Sequence, residues 1–289
     1  MSYSRYVKGV DCLRLAVAMP WRHHTRNGYI EMILGSTDNS PQVYARIGGI
    51  LYLIIIVAGT AGELFVRGSL VVSGNAAATA NNILASRYLW RAGVAGDLLM
   101  HVCDVGLMLV LYVLLRPVSR NLALLAILFN LVQTAVLVAN KLNLVLPLLF
   151  LADAAYLKAF TPEQLQAFSY VAIRTHGYGF AFGLIFFGIE CVVIGYLIFR
   201  SGYLPKALGV MMQIAGVCYV VNSFAFVTYP PIASKLFPVI LLPPFVAELS
   251  VAVWLLVKGV DLRKWPAASV PSGGDQRHAP EGTSEARRL

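Results

Sequence analysis

The sequence predicts an all-α, polytopic transmembrane bundle of about six helices. Apolar residues make up 58% of the chain and charged residues only 13%, where soluble proteins carry about 25% charged residues. The apolar residues are gathered into long runs, and a helix needs about 20 such residues to cross a hydrocarbon core about 30 Å thick. Basic residues lie between these runs or close to their ends.

The spans are read at residues 44–66, 88–115, 121–142, 175–199, 204–228 and 237–257. Between the second and third, Arg116-Pro117-Val118-Ser119-Arg120 predicts a tight turn, because Pro117 has no amide hydrogen to continue a helix. Between the fourth and fifth, Gly202 supplies backbone freedom and Pro205 suits a first helical turn, while Tyr203 is expected at headgroup level. Outside the spans, Thr161-Pro162-Glu163-Gln164 is a capping box, which predicts a short helix along the outer membrane surface. Residues 69–87 predict a second surface segment.

The domain boundaries follow from composition. Over residues 1–40, Arg5, Lys8, Arg14, Arg22 and Arg26 surround an apolar patch too short to span, ended by Pro20. A basic, disordered extension is expected there, or an over-called start upstream of Met32. Residues 41–262 hold the membrane domain, and residues 263–289, rich in Pro, Gly, Ser and Arg, read as a disordered cytoplasmic tail.

Of the 23 Lys and Arg residues, 16 fall on the face holding both termini and the two tight turns, and 7 on the other. The positive-inside rule then places both termini in the cytoplasm. Long apolar helices, not alternating short strands, point to the bacterial inner membrane. The net charge of +9 therefore reads as a topology signal and not as a nucleic-acid surface, since no basic stripe is interleaved with aromatics. The lipid bilayer is the one partner implied. Cys103, Cys191 and Cys218 lie in apolar runs and Cys12 in the N-terminal region, a spacing that implies neither disulfide nor structural zinc.

Five of the 14 acidic residues, Glu63, Asp97, Asp104, Glu190 and Glu248, fall inside spans. An acidic residue facing lipid at the membrane centre costs about 2.5–3.5 kcal/mol on insertion scales, so these should face the bundle interior or a wet cavity. Asp97, His101 and Asp104 follow at i, i+4 and i+7, on one helical face. With Glu248 and Glu190 they are the candidates for a polar cavity, and Glu63, His176, Asn140 and Asn222 are candidates for its outer rim. Asp97, His101 and Asp104 are also weak candidates for a divalent metal. Three functions fit: handling of a cation, proton or small solute; intramembrane metal-dependent hydrolysis; or a scaffold whose polar core, helped by Asn130, Gln133 and Gln213, only locks helix packing. No phosphate loop, GxSxG, HExxH or dinucleotide fingerprint implies an enzyme or a cofactor.

Three stretches carry a resemblance: ARIGGILYLI at 45–54 with ELFVR at 63–67, LYVLLRPV at 111–118, and GYLIFRSGYLPKALG at 195–209. Together they resemble the bacterial domain-of-unknown-function family DUF4386 over residues 43 to 260. The resemblance implies an uncharacterised multi-pass membrane protein and supplies no catalytic or binding residue.

Overall fold

The computed structural model describes residues 40–266. The N-terminal extension through residue 39 and the tail beyond Pro266 lie outside the described residues.

Every regular element among the described residues is helical, as lipid requires, because only helices and closed barrels satisfy their own backbone groups there. Helix α1 spans Pro41–Ala61 and continues through a π-helical turn, Gly62–Arg67, and a last turn, Gly68–Leu70. Then come α2 (Ala76–Ala85), α3 (Arg87–Leu115), α4 (Arg120–Asn140) and α5 (Leu142–Phe150). The chain finishes with α6 (Pro162–Ser201), α7 (Lys206–Thr228), α8 (Pro230–Leu236) and α9 (Leu242–Val257). Six stretches are long and apolar enough to cross a membrane: Pro41–Leu70, Arg87–Leu115, Arg120–Phe150, Pro162–Ser201, Lys206–Thr228 and Val239–Val257. The protein is an all-α, multi-pass helical bundle.

These six spans close into a ring. Helix α1 packs on α3, α3 on α4, α4 on α6, α6 on α7, α7 on α9, and α9 back on α1. Large apolar side chains cover the outside: Leu99, Val102, Val105 and Leu109 are exposed along one side of α3, while Asp97 and His101 on the same helix are buried. Apolar outside and polar inside is the arrangement lipid favours.

At one end of the ring lie the two tight turns and the segment after α9. Gly202 ends α6 at φ +75° and Gly259 follows α9 at φ +67°, left-handed values that a side chain would strain. The Gln42 amide donates to the Lys258 carbonyl at 2.7 Å and its carbonyl accepts from the Val260 N–H at 3.0 Å. At the other end, α2 and α5 pack on the first turns of α6, around a small core of Val66, Leu70, Ile83, Trp90, Leu144 and Ile173.

Three sequence expectations change. The capping box at Thr161 and Gln164 is formed, but the helix it starts runs unbroken for 40 residues, about 60 Å at 1.5 Å per residue. The expected short surface helix is the beginning of this long helix, against which α2 and α5 pack. The third span is broken at Lys141 and extended by α5. Tyr203 is not an open anchor for headgroups but 3% exposed. Its hydroxyl donates to the Leu114 carbonyl, one of the last four carbonyls of α3, which have no partner within the helix. Its backbone carbonyl accepts from the Asp261 N–H at 3.0 Å, and its ring lies 4.8 Å from that of Trp265.

Tyr203→Phe is expected to lower stability by about 1–3 kcal/mol, because it keeps the ring and orphans a buried carbonyl. Thermal unfolding of the purified protein in detergent reads this; an unchanged midpoint would show that the hydroxyl does not hold the turn.

Candidate functional site

Asp97, His101 and Asp104 share one side of α3 but stand at different heights, about 6 Å and then about 4.5 Å apart along the axis at 1.5 Å per residue. Each height faces different neighbouring helices, so the three residues divide between two polar layers.

The upper layer, toward α2 and α5, is an ion-pair network. Asp97 Oδ2 accepts from Arg67 Nη1 at 2.7 Å and from Lys141 Nζ at 2.9 Å, and Arg67 Nε donates to Glu63 Oε2 at 2.7 Å. Asp97 is 1% exposed and Lys141 3%. Local structure makes this possible. The π-helical turn carries Arg67, a distortion common at functional sites, and Lys141 occupies the break between α4 and α5. Gly62 has no side chain where a Cβ would come within 2.8 Å of Asp97 Oδ1.

The lower layer joins α3, α4 and α6. Thr134 Oγ1 donates to Asp104 Oδ2 at 2.9 Å. The Asn130 amide nitrogen faces three acceptors: Asp104 Oδ2 at 3.3 Å, Gln133 Oε1 at 3.3 Å and Glu190 Oε1 at 3.4 Å. An amide nitrogen has two hydrogens for these three, and Asn130 is the one side-chain donor within reach of Glu190 among the described residues. Beyond it, the Tyr219 hydroxyl donates to Glu248 Oε1 at 2.6 Å.

Between these groups lies a cavity of about 290 Å³ to which all six spans contribute. Its polar lining includes His101, Asp104, Gln133, Glu190, Tyr219 and Glu248; the rest is mainly apolar, with Met100, Met108, Phe180 and Phe187 among it. Two buried polar atoms on its lining residues, His101 Nε2 and Glu190 Oε2, have no hydrogen-bond partner.

Four of the five cavity candidates, His101, Asp104, Glu190 and Glu248, thus line one space, and Asp97 lies apart in the ion-pair layer. As for a metal, Asp97 turns to two cations and Asp104 to Thr134 and Asn130. No group of three or more His, Cys, Asp or Glu among the described residues is placed to hold an ion.

The rim candidates divide further. Glu63 joins the upper layer through Arg67. Asn140 donates to His176 Nδ1 at 2.8 Å and to its carbonyl at 2.9 Å, tying α4 to α6. Asn222 is half-buried on α7 and makes no side-chain hydrogen bond to either layer.

The four-residue spacing of Glu63 and Arg67, one helical turn, is readable in the sequence, but the reach of Arg67 to Asp97 and the contacts of Thr134 and Tyr219 are not. The one available signal was basic residues at span ends beside buried acids.

No solved structure matches the chain. An uncharacterized protein of Archaeoglobus fulgidus is 29% identical over 166 residues, covering 57% of this chain and 83% of that one. The family described as domain of unknown function DUF4386 matches residues 47–259, most of the ring and every residue lining the cavity, and the chain belongs to that family.

Proposed function

We propose that this protein is a non-enzymatic component of the bacterial inner membrane, with both termini cytoplasmic, whose central cavity handles a cation, a proton or a small solute. The observation that carries the reading is Glu190, whose one side-chain donor is Asn130 at 3.4 Å and whose Oε2 has none, at a cavity with no Lys or Arg in its lining. Acceptors gathered in a low-dielectric interior favour a guest that brings positive charge or donated hydrogens. The geometry favours this over metal-dependent hydrolysis, because Asp97 and Asp104, the carboxylates that would supply a metal's ligands, are divided between two layers and already engaged.

Reconstituted into liposomes holding a pH-sensitive dye, the protein is expected to carry an inward proton or cation-coupled flux. Glu190→Gln should lower that flux at least about tenfold, as expected when a charge-assisted contact is lost. Equal flux from wild type and Glu190→Gln, or none above empty liposomes under an imposed gradient, would refute the reading.

A further inference from the structure

We infer that the guest of this cavity is a primary ammonium group on a compact apolar body, a small lipophilic amine. The inference rests on the proposal that the cavity handles a cation, and it names the class.

Charge comes first. The lining holds the carboxyl groups of Asp104, Glu190 and Glu248 and no basic residue other than His101. The two cations of the upper layer are held by Asp97 and Glu63 and do not line it.

Hydrogen bonding narrows the cation. His101 is 2% exposed and Glu190 4%, and each keeps a buried atom without a partner, Nε2 and Oε2. A primary ammonium brings three donors to a lining whose acceptors include the Asp104, Glu190 and Glu248 carboxyl groups and the Gln133 side chain. A quaternary ammonium brings none. A bare hard cation asks for six or more oxygens, whereas Asp104 Oδ2, Glu190 Oε1 and Glu248 Oε1 are already engaged by Thr134, Asn130 and Tyr219.

The rest of the wall fixes the body. Phe180, Phe187, Phe245 and Tyr52 put aromatic rings in the lining, a type of side chain whose face attracts a cation. Met100, Met108 and Met212 supply adaptable apolar surface. A volume of about 290 Å³ is the share of about ten waters at ~30 Å³ each, room for an amine with one small ring.

The test is calorimetric titration of the full-length protein in phosphatidylcholine nanodiscs with phenethylamine, with its neutral isostere 2-phenylethanol and with its N,N,N-trimethyl derivative. Titration into empty nanodiscs is subtracted. Saturable binding of the amine is expected, at least about tenfold tighter than either analogue, the size of one charge-assisted hydrogen bond. Glu190→Gln should remove that preference, the amine then binding no tighter than 2-phenylethanol. Equal binding of the amine and the alcohol by the wild type, or no amine binding, overturns the inference whatever the variant does.

Repeating the titration with phosphatidylethanolamine in the nanodisc separates two sources of the same chemistry. Competition by the lipid assigns the ammonium to its headgroup, and unchanged affinity assigns it to a free amine. Absence of amine binding in protein that still carries the Glu190-dependent flux would sink this inference alone; absence of both would also sink the cavity reading.

Discussion

Asp97→Asn is expected to lower the stability of the purified protein by about 3–5 kcal/mol, the cost of breaking a buried ion pair by removing one partner. Among the described residues, Asp97 is the one acid within salt-bridge distance of Lys141, and Lys141 is 3% exposed. Losing the carboxylate leaves that ammonium buried without a counter-charge, whereas Arg67 keeps Glu63. The double variant Asp97→Asn/Lys141→Met should therefore recover most of the loss, because it removes the orphaned charge together with its partner. Thermal or denaturant unfolding of the four proteins in one detergent gives the coupling directly. Additive effects of the two substitutions would show that the pair is not coupled and that Asp97 acts through some other contact.

This layer bears on function by position. It lies about 6 Å above His101 along α3, by four residues at 1.5 Å each, between the cavity and the end of the ring covered by α2 and α5. Arg67 comes from the π-helical end of α1, Asp97 from α3 and Lys141 from the break after α4. The network ties three neighbouring members of the ring at one height. Both of its cations are paired with carboxylates, whereas the cavity below is lined by carboxyl groups with no Lys or Arg among them.

The spans, the two tight turns and the inward direction of most buried acids were legible in the sequence, because each rests on a local cause. Apolar length sets the spans, Pro117 and Gly202 set the turns, and the cost of a carboxylate in lipid sets the facing. What was not legible was long-range. Periodicity puts Asp97 and Asp104 on one side of α3 but says nothing of which helices stand opposite at each height. Arg67 and Lys141 are 30 and 44 residues from Asp97. The unbroken course of α6 was missed for a related reason. Arg174, His176 and the glycines at 177 and 179 look like a membrane boundary in sequence. In the fold, His176 is buried against Asn140, so the helix continues where a surface turn was expected.

Gly209→Ala, a change of one methyl group, should destabilise the protein, while the same change at Gly96 should not. A Cβ at Gly209 would lie 2.6 Å from the Gly195 carbonyl oxygen and 2.6 Å from the Phe199 nitrogen. A Cβ at Gly195 would in turn lie 2.6 Å from the Gly209 carbonyl oxygen and 2.8 Å from the Gln213 nitrogen. These neighbours are backbone atoms, which cannot turn aside as a flexible side chain can, so α6 and α7 must separate. Small residues permit this close approach in membranes, where association depends on packing. Overpacking costs about 1–3 kcal/mol, and the upper part of that range is expected at Gly209 because the strain falls on two helices. At Gly96 in α3 a Cβ meets nothing within 4 Å, so Gly96→Ala should be neutral or stabilising by up to about 1 kcal/mol, the helix-propensity gain of alanine over glycine. Opposite signs for one chemical change leave little room for a general effect of added bulk. The consequence reaches the cavity, because α6 supplies Glu190 and α7 supplies Tyr219. Gly209→Ala should also weaken amine binding while Gly96→Ala leaves it unchanged. Equal stability of the two variants would mean that α6 and α7 are not in backbone contact at this point, and the closed ring around the cavity would have to be redrawn.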